Sequence, residues 1–113
     1  MHLTVLPPDK AIYLETSDLQ FPNRRCHFIN DQEFWNNVDP RIHAIQYHSD
    51  GIKEIEYNNP RENIPITDVT TLQKYIDRFN LAEQTYQAQL SWDSNNVQGE
   101  TPEQKVTRLG PRP

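Results

Sequence analysis

From Thr70 to the Asp93-Ser94-Asn95-Asn96 cluster the chain runs through good helix formers with neither glycine nor proline, although nine of its 113 residues are proline. A long helix is the structure that such a stretch specifies. Thr70 and Gln73 stand at capping-box spacing, which places the helix at Thr71 to Trp92, about 33 Å long at 1.5 Å per residue. Leu72, Tyr75, Ile76, Phe79, Ala82, Tyr86 and Leu90 fall on one stripe about 120° wide, suited to packing on a sheet. Leu81, Ala88 and Trp92 fall near the opposite side and have no predicted internal partner. Glu83 interrupts the main stripe, so the stripe is expected either to leave the core there or to meet a cation from another chain.

The sheet is supplied by two hairpins. His2 to Leu6 and Ala11 to Glu15 flank Pro7-Pro8-Asp9-Lys10, and this loop sets Val5 opposite Ile12 and Leu3 opposite Leu14. In the second hairpin a three-residue Ser49-Asp50-Gly51 loop, with Gly51 left-handed, sets Ile45 opposite Ile55, His43 opposite Tyr57 and Tyr47 opposite Lys53. A two-residue loop would place Ile45 and Tyr47 against Glu56 and Glu54, burying carboxylates, and is rejected. The predicted core is Leu3, Val5, Ile12, Leu14, Ile45, Ile55 and Tyr57 beneath Leu72, Ile76 and Phe79.

Between the hairpins only a short strand near Arg25 to Ile29 and one helical turn after an Asp31 cap are expected, anchored by Phe21, Phe28, Phe34 and Trp35. Asn63 to Ile66 reads as extended, because a residue before proline avoids the helical region. Beyond Trp92, Thr101-Pro102-Glu103-Gln104 starts a short helix that Gly110-Pro111 stops. Eight residues of helix are unstable alone, so Val106 and Leu109 need a surface to sit on. The organisation expected is therefore a small α+β domain over 1–92, a small antiparallel sheet of two β-hairpins packed on one long C-terminal helix. An extended C-terminal arm with a short helix follows over 93–113. The arm and the Leu81 face are expected to become ordered only against a partner.

Composition narrows the functional classes. Leu, Ile, Val and Phe make up 26 of the 113 residues, just above the roughly 20% below which charged chains stay unfolded. One thin core is possible. No run approaches the roughly 20 apolar residues of a membrane span, and the start lacks a basic region followed by a long apolar stretch, so a soluble product of the cytoplasm is expected. With pI near 5.2 and basic residues scattered apart from Arg24-Arg25, nucleic-acid binding is disfavoured, and that pair reads as solvated surface. Cys26 has no second cysteine, and Cys26 and His27, adjacent on a strand, point to opposite faces, which disfavours an activated thiol. Gln46, His48, Glu54 and Glu56 share a face of the second hairpin and read as solvated strand surface rather than a cation site. No phosphate loop or hydrolase motif is present, so no catalytic residue and no cofactor is expected. A Trp aligned with a Leu and an Ala on one helical stripe is instead the pattern of a partner-binding face.

Four blocks occur in order: Ile42, His43, Ala44, Ile45 and Gln46; Glu54, Ile55, Glu56 and Tyr57; Asn63, Pro65 and Ile66; and Gln73, Tyr75, Ile76 and Asp77. This block resembles small proteins encoded in bacteriophage tail gene clusters, as does the MHLTVLPPD opening. The resemblance covers about a third of the chain, with Tyr47 where a Trp is usual and no counterpart for the residues beyond Trp92. It implies a non-enzymatic virion component associated with a tail fibre or baseplate, present in several copies in a symmetric assembly. Its partners would be other tail, fibre or baseplate proteins, not nucleic acid or membrane. A fibre-assembly chaperone absent from the mature particle is the alternative. The residues expected to carry docking are Leu81, Ala88, Trp92, Val106 and Leu109.

Overall fold

A computed structural model describes residues 1–16, 25–58 and 63–113. It is an α+β structure with a six-stranded antiparallel sheet and a long helix. The strands are β1 (His2–Leu6), β2 (Ala11–Glu15), β3 (Arg25–Phe28), β4 (Ile42–His48), β5 (Lys53–Tyr57) and β6 (Asn63–Pro65), arranged β3-β2-β1-β4-β5-β6. Each expected hairpin is thus extended by one short outer strand into a three-stranded meander, and β1 joins β4 as the seam between the two. Among the described residues there are three α-helices, α1 (Gln32–Asn36), α2 (Gln73–Ser94) and α3 (Pro102–Leu109). Contacts group it into two compact units, Met1–Phe79 and Asn80–Pro113, with the boundary inside α2.

In the first unit, alternation governs the register. Leu3 lies opposite Leu14 and Val5 opposite Ile12, as the spacing predicts. Pro7–Asp9 form a 3-10 turn, and Lys10 leaves it at φ 53°, ψ 41°, donating its N–H to the Pro7 carbonyl at 3.1 Å. Across the seam Leu3 meets Tyr47 and Val5 meets Ile45.

The second hairpin departs from expectation at both ends. Ile45–Ile55 and Tyr47–Lys53 pair as expected, but a register shift between Ile42 and Ala44 sets Ile42, not His43, opposite Tyr57. His43 is the extra residue of a bulge. At the turn, Gly51 is not left-handed; its N–H donates to the His48 carbonyl at 3.0 Å, and the His48 N–H donates to the Ile52 carbonyl at 2.7 Å. These two bonds close the loop without a positive φ.

Asp31 caps α1, accepting from the Phe34 N–H at 3.1 Å, and the Trp35 indole N–H donates to the Ile29 carbonyl at 2.8 Å. The long helix is led in by Asp68 rather than Thr70. Its carboxylate accepts from the Thr70 N–H at 3.0 Å and hydroxyl at 2.6 Å, opening a 3-10 turn at Val69–Leu72, while the Gln73 side chain donates to Asp77 at 2.8 Å. An aspartate two residues earlier satisfies the free N–H groups first.

The core consists of Leu3, Val5, Ile12, Leu14, Ile29, Ile45, Leu72 and Phe79, all essentially inaccessible, with Trp35, Val38, Ile42 and Tyr75 around them. Burial pushes the Tyr75 hydroxyl up to about 12. Ile55, Tyr57 and Ile76 are only half-buried. Phe28, an expected anchor, is 78% exposed because it faces away from the core side of the sheet; Phe34 is half-buried, and Phe21 and Arg24 lie outside the described residues.

Candidate functional site

The second unit, Asn80–Pro113, holds all five residues expected to carry docking, and it is built differently. None of its apolar side chains is buried; its one buried residue is Glu83. Leu90, on the same stripe, is exposed. Polar chemistry does the rest.

The capping box at the start of α3 forms in both directions. The Gln104 N–H donates to the Thr101 hydroxyl at 3.2 Å, and the Thr101 N–H donates to the Gln104 side chain at 2.9 Å. Gly110, at φ 80°, ends the helix, with its N–H donating to the Val106 carbonyl at 2.7 Å. This turn sends the chain back along α2, where the Trp92 indole N–H donates to the Gly110 carbonyl at 3.1 Å and Gln89 donates to the Pro113 carbonyl at 2.8 Å.

Three cations from the arm close the arrangement. Lys105 Nζ stands 4.0 Å over the Trp92 ring and 2.7 Å from Asn96 Oδ1. Arg108 grips Glu100 through two bonds of 2.8 Å and also reaches the Asn95 side chain and carbonyl. Arg112 grips Asp93 at 2.8 and 2.9 Å. The guanidinium hydrogen bonds hold the Asp93 and Glu100 carboxyls below their ordinary range. Fork-shaped pairs of this kind are geometrically specific even where exposure limits their strength.

Within this unit, therefore, Trp92 and the arm are partners of each other, and the expected unpartnered Trp92 and freely extended arm are corrected. Counting apolar area alone missed this, since the docking is ionic. The usable signal was charge: Lys105, Arg108 and Arg112 follow the acidic Asp93 and Glu100. Leu81, at 53% exposed, Ala88 and Val106, at 43%, remain open, and Leu109 is half-buried. The arm closes over one end of the stripe and leaves Leu81 and Ala88 bare.

The other clusters weighed from sequence are dispersed. On the second hairpin Gln46 donates to Glu56 at 3.4 Å and Asn63 donates to Glu54 at 3.2 Å; among the described residues no group of three or more His, Cys, Asp or Glu side chains could hold a metal ion. Cys26 is exposed, with partial burial pushing its thiol up, while the His27 ring lies 5.0 Å from that of Phe79. An open polar pocket of about 520 Å³ is lined by His43, Glu56, Tyr57, Asn58 and Asn63. The bulge at His43 helps form it, a feature not readable in the sequence. No helix among the described residues is long and apolar enough to cross a membrane. Comparison of the chain with protein-family models, curated proteins and solved structures found no match.

Proposed function

We propose that the chain is a non-enzymatic structural component of a bacteriophage tail, fibre- or baseplate-associated, that docks on neighbouring virion subunits through α2 and its C-terminal arm. The observation that carries this reading is the exposed apolar set Leu81, Ala88 and Val106 on a helical unit whose own arm covers Trp92 alone of the stripe. Leu81 and Ala88, seven residues apart on α2, share one exposed helical face of the kind that a subunit interface uses. The resemblance adds support, because its four blocks correspond to β4, β5, β6 with the residue that follows it, and the start of α2, one continuous piece of the chain.

Mass spectrometry of purified particles of a phage carrying this gene tests the proposal. Stoichiometric presence is expected, together with strongly reduced incorporation of a Leu81→Asp, Ala88→Asp double variant. The fibre-assembly chaperone is favoured by one feature, the clasp of exposed ion pairs, which can open and reclose around a transient client. Absence from mature particles, with binding to a fibre protein during assembly, would establish that reading instead.

A further inference from the structure

Within the second unit, the arm is a self-contained piece joined to α2 by a bare hinge. Residues 100–110 satisfy one another: the Thr101–Gln104 capping box opens α3, the Gly110 N–H closes on the Val106 carbonyl, and Arg108 holds Glu100. Asn95 and Asn96 stay with α2, the first donating its N–H to the Trp92 carbonyl at 3.2 Å and the second its side-chain amide to the Asp93 carbonyl at 2.9 Å. Between these two pieces lie Val97, Gln98 and Gly99, all exposed. Gly99 takes φ 80° with nothing within 4 Å of a Cβ built on it, and the Glu100 N–H donates to the Val97 carbonyl at 3.1 Å to close the reversal. The docking contacts cross this hinge. Lys105 on Trp92 and Asn96, Arg108 on Asn95, Arg112 on Asp93, the Trp92 indole on Gly110 and Gln89 on Pro113 all join residues 100–113 to residues 89–96.

We infer that the arm exchanges between copies: residues 100–113 of one copy seat on residues 89–96 of a second, whose own arm returns to the first. The site itself names the occupant. Trp92, Asn95 and Asp93 are matched to a Lys, an Arg three residues on and a second Arg four beyond it, and the Trp92 indole to the carbonyl of the glycine between those arginines. A second copy presents that spacing unchanged, so exchange conserves these contacts and alters only the hinge. Opening the hinge gives up the Glu100–Val97 bond and frees Gly99 from its left-handed turn. Against exchange stands the tether, which holds the arm beside its own helix at an effective concentration on the order of 1 mM. The wild-type chain is therefore a closed monomer at micromolar concentration and exchanges where copies are crowded together. The inference is independent of the function proposed above.

Hinge variants of the full chain, sedimented from about 10 to about 500 µM beside the wild type, test it. Deleting residues 97–99 removes the reversal and keeps both halves of the contact, so the arm reaches only a neighbouring helix, and dimerisation should tighten at least about tenfold. Gly99→Val keeps the length and strains only the closed turn, because the space around it is open; relief in both copies should tighten the dimer at least about fivefold. Charge exchange then identifies the contact. In the deleted chain, Asp93→Arg alone and Arg112→Asp alone each set like charges together and should weaken the dimer. A 1:1 mixture of the two should restore it as a mixed dimer, in which each arm meets its opposite charge. A dimer that ignores both substitutions, or a mixture no tighter than either variant alone, overturns the proposal. So do hinge variants that stay monomeric throughout the range, whether hydrogen exchange finds their α3 amides protected or not.

Discussion

The two units are held together by opposite means. In Met1–Phe79, eight of the described apolar side chains are essentially inaccessible. In Asn80–Pro113 no apolar side chain is buried, and cations on the arm find carboxylates, amides and a Trp ring. Burial of apolar surface contributes about 25 cal/mol per Å² and is insensitive to salt, whereas exposed ion pairs contribute about 0–1 kcal/mol each and are screened. The first unit is accordingly the durable part, and the second is organised but easily opened.

The largest test removes core volume. Ile45→Ala should destabilise the first unit by about 2–4 kcal/mol, and half-buried Ile55→Ala by less than half of that, measured by urea denaturation. Equal costs would mean that the sheet is covered evenly from seam to edge. Next, Trp92→Ala should cost about 1–2 kcal/mol locally, from the lost hydrogen bond and cation contact. Hydrogen exchange should show unprotected α3 amides with the first unit's midpoint unchanged.

Acid should separate the units. Asp93 and Glu100 are held below their ordinary values, so their contribution is complete at neutral pH and is lost as pH falls through about 4 and lower. The Arg108 and Arg112 grips should release in that window, and 1 M salt should mimic the effect, seen as exchange broadening of α3 amides. In the first unit Asp39, held to about 2 by Arg41, should keep its pairing further into acid. The smallest effects concern turns. Lys10→Gly relieves a left-handed non-glycine residue and should stabilise by about 0.5 kcal/mol. Gly51→Ala, whose added methyl would meet His48 Cβ at an ordinary 3.6 Å, should change stability by less than about 0.5 kcal/mol.

What the sequence disclosed follows the same division. The Leu3–Leu14 and Ile45–Ile55 pairings were legible because strand alternation leaves one register that buries every apolar residue. The short helix Pro102–Leu109 was legible from its cap residues. The bulge at His43 and the choice of Asp68 over Thr70 were not, since each is decided between neighbours of similar local preference. The segment that forms the outer strand β6 was legible as extended from Pro65, but at three residues it is too short to show a period that would pair it with β5. At the candidate site the exposed Leu81 and Ala88 were readable from helical spacing, but the fate of Trp92 depended on where three flexible cations reach.

The order of strands also sets a folding order. Each meander pairs strands that are neighbours in sequence, at a small closure cost, while β1 and β4 are separated by the whole first meander and α1. The pairing of Leu3 with Tyr47 and of Val5 with Ile45 is therefore the expected slow step of folding, after each three-stranded half has formed. Substitutions along that line should slow folding, whereas those in the outer strands should chiefly hasten unfolding.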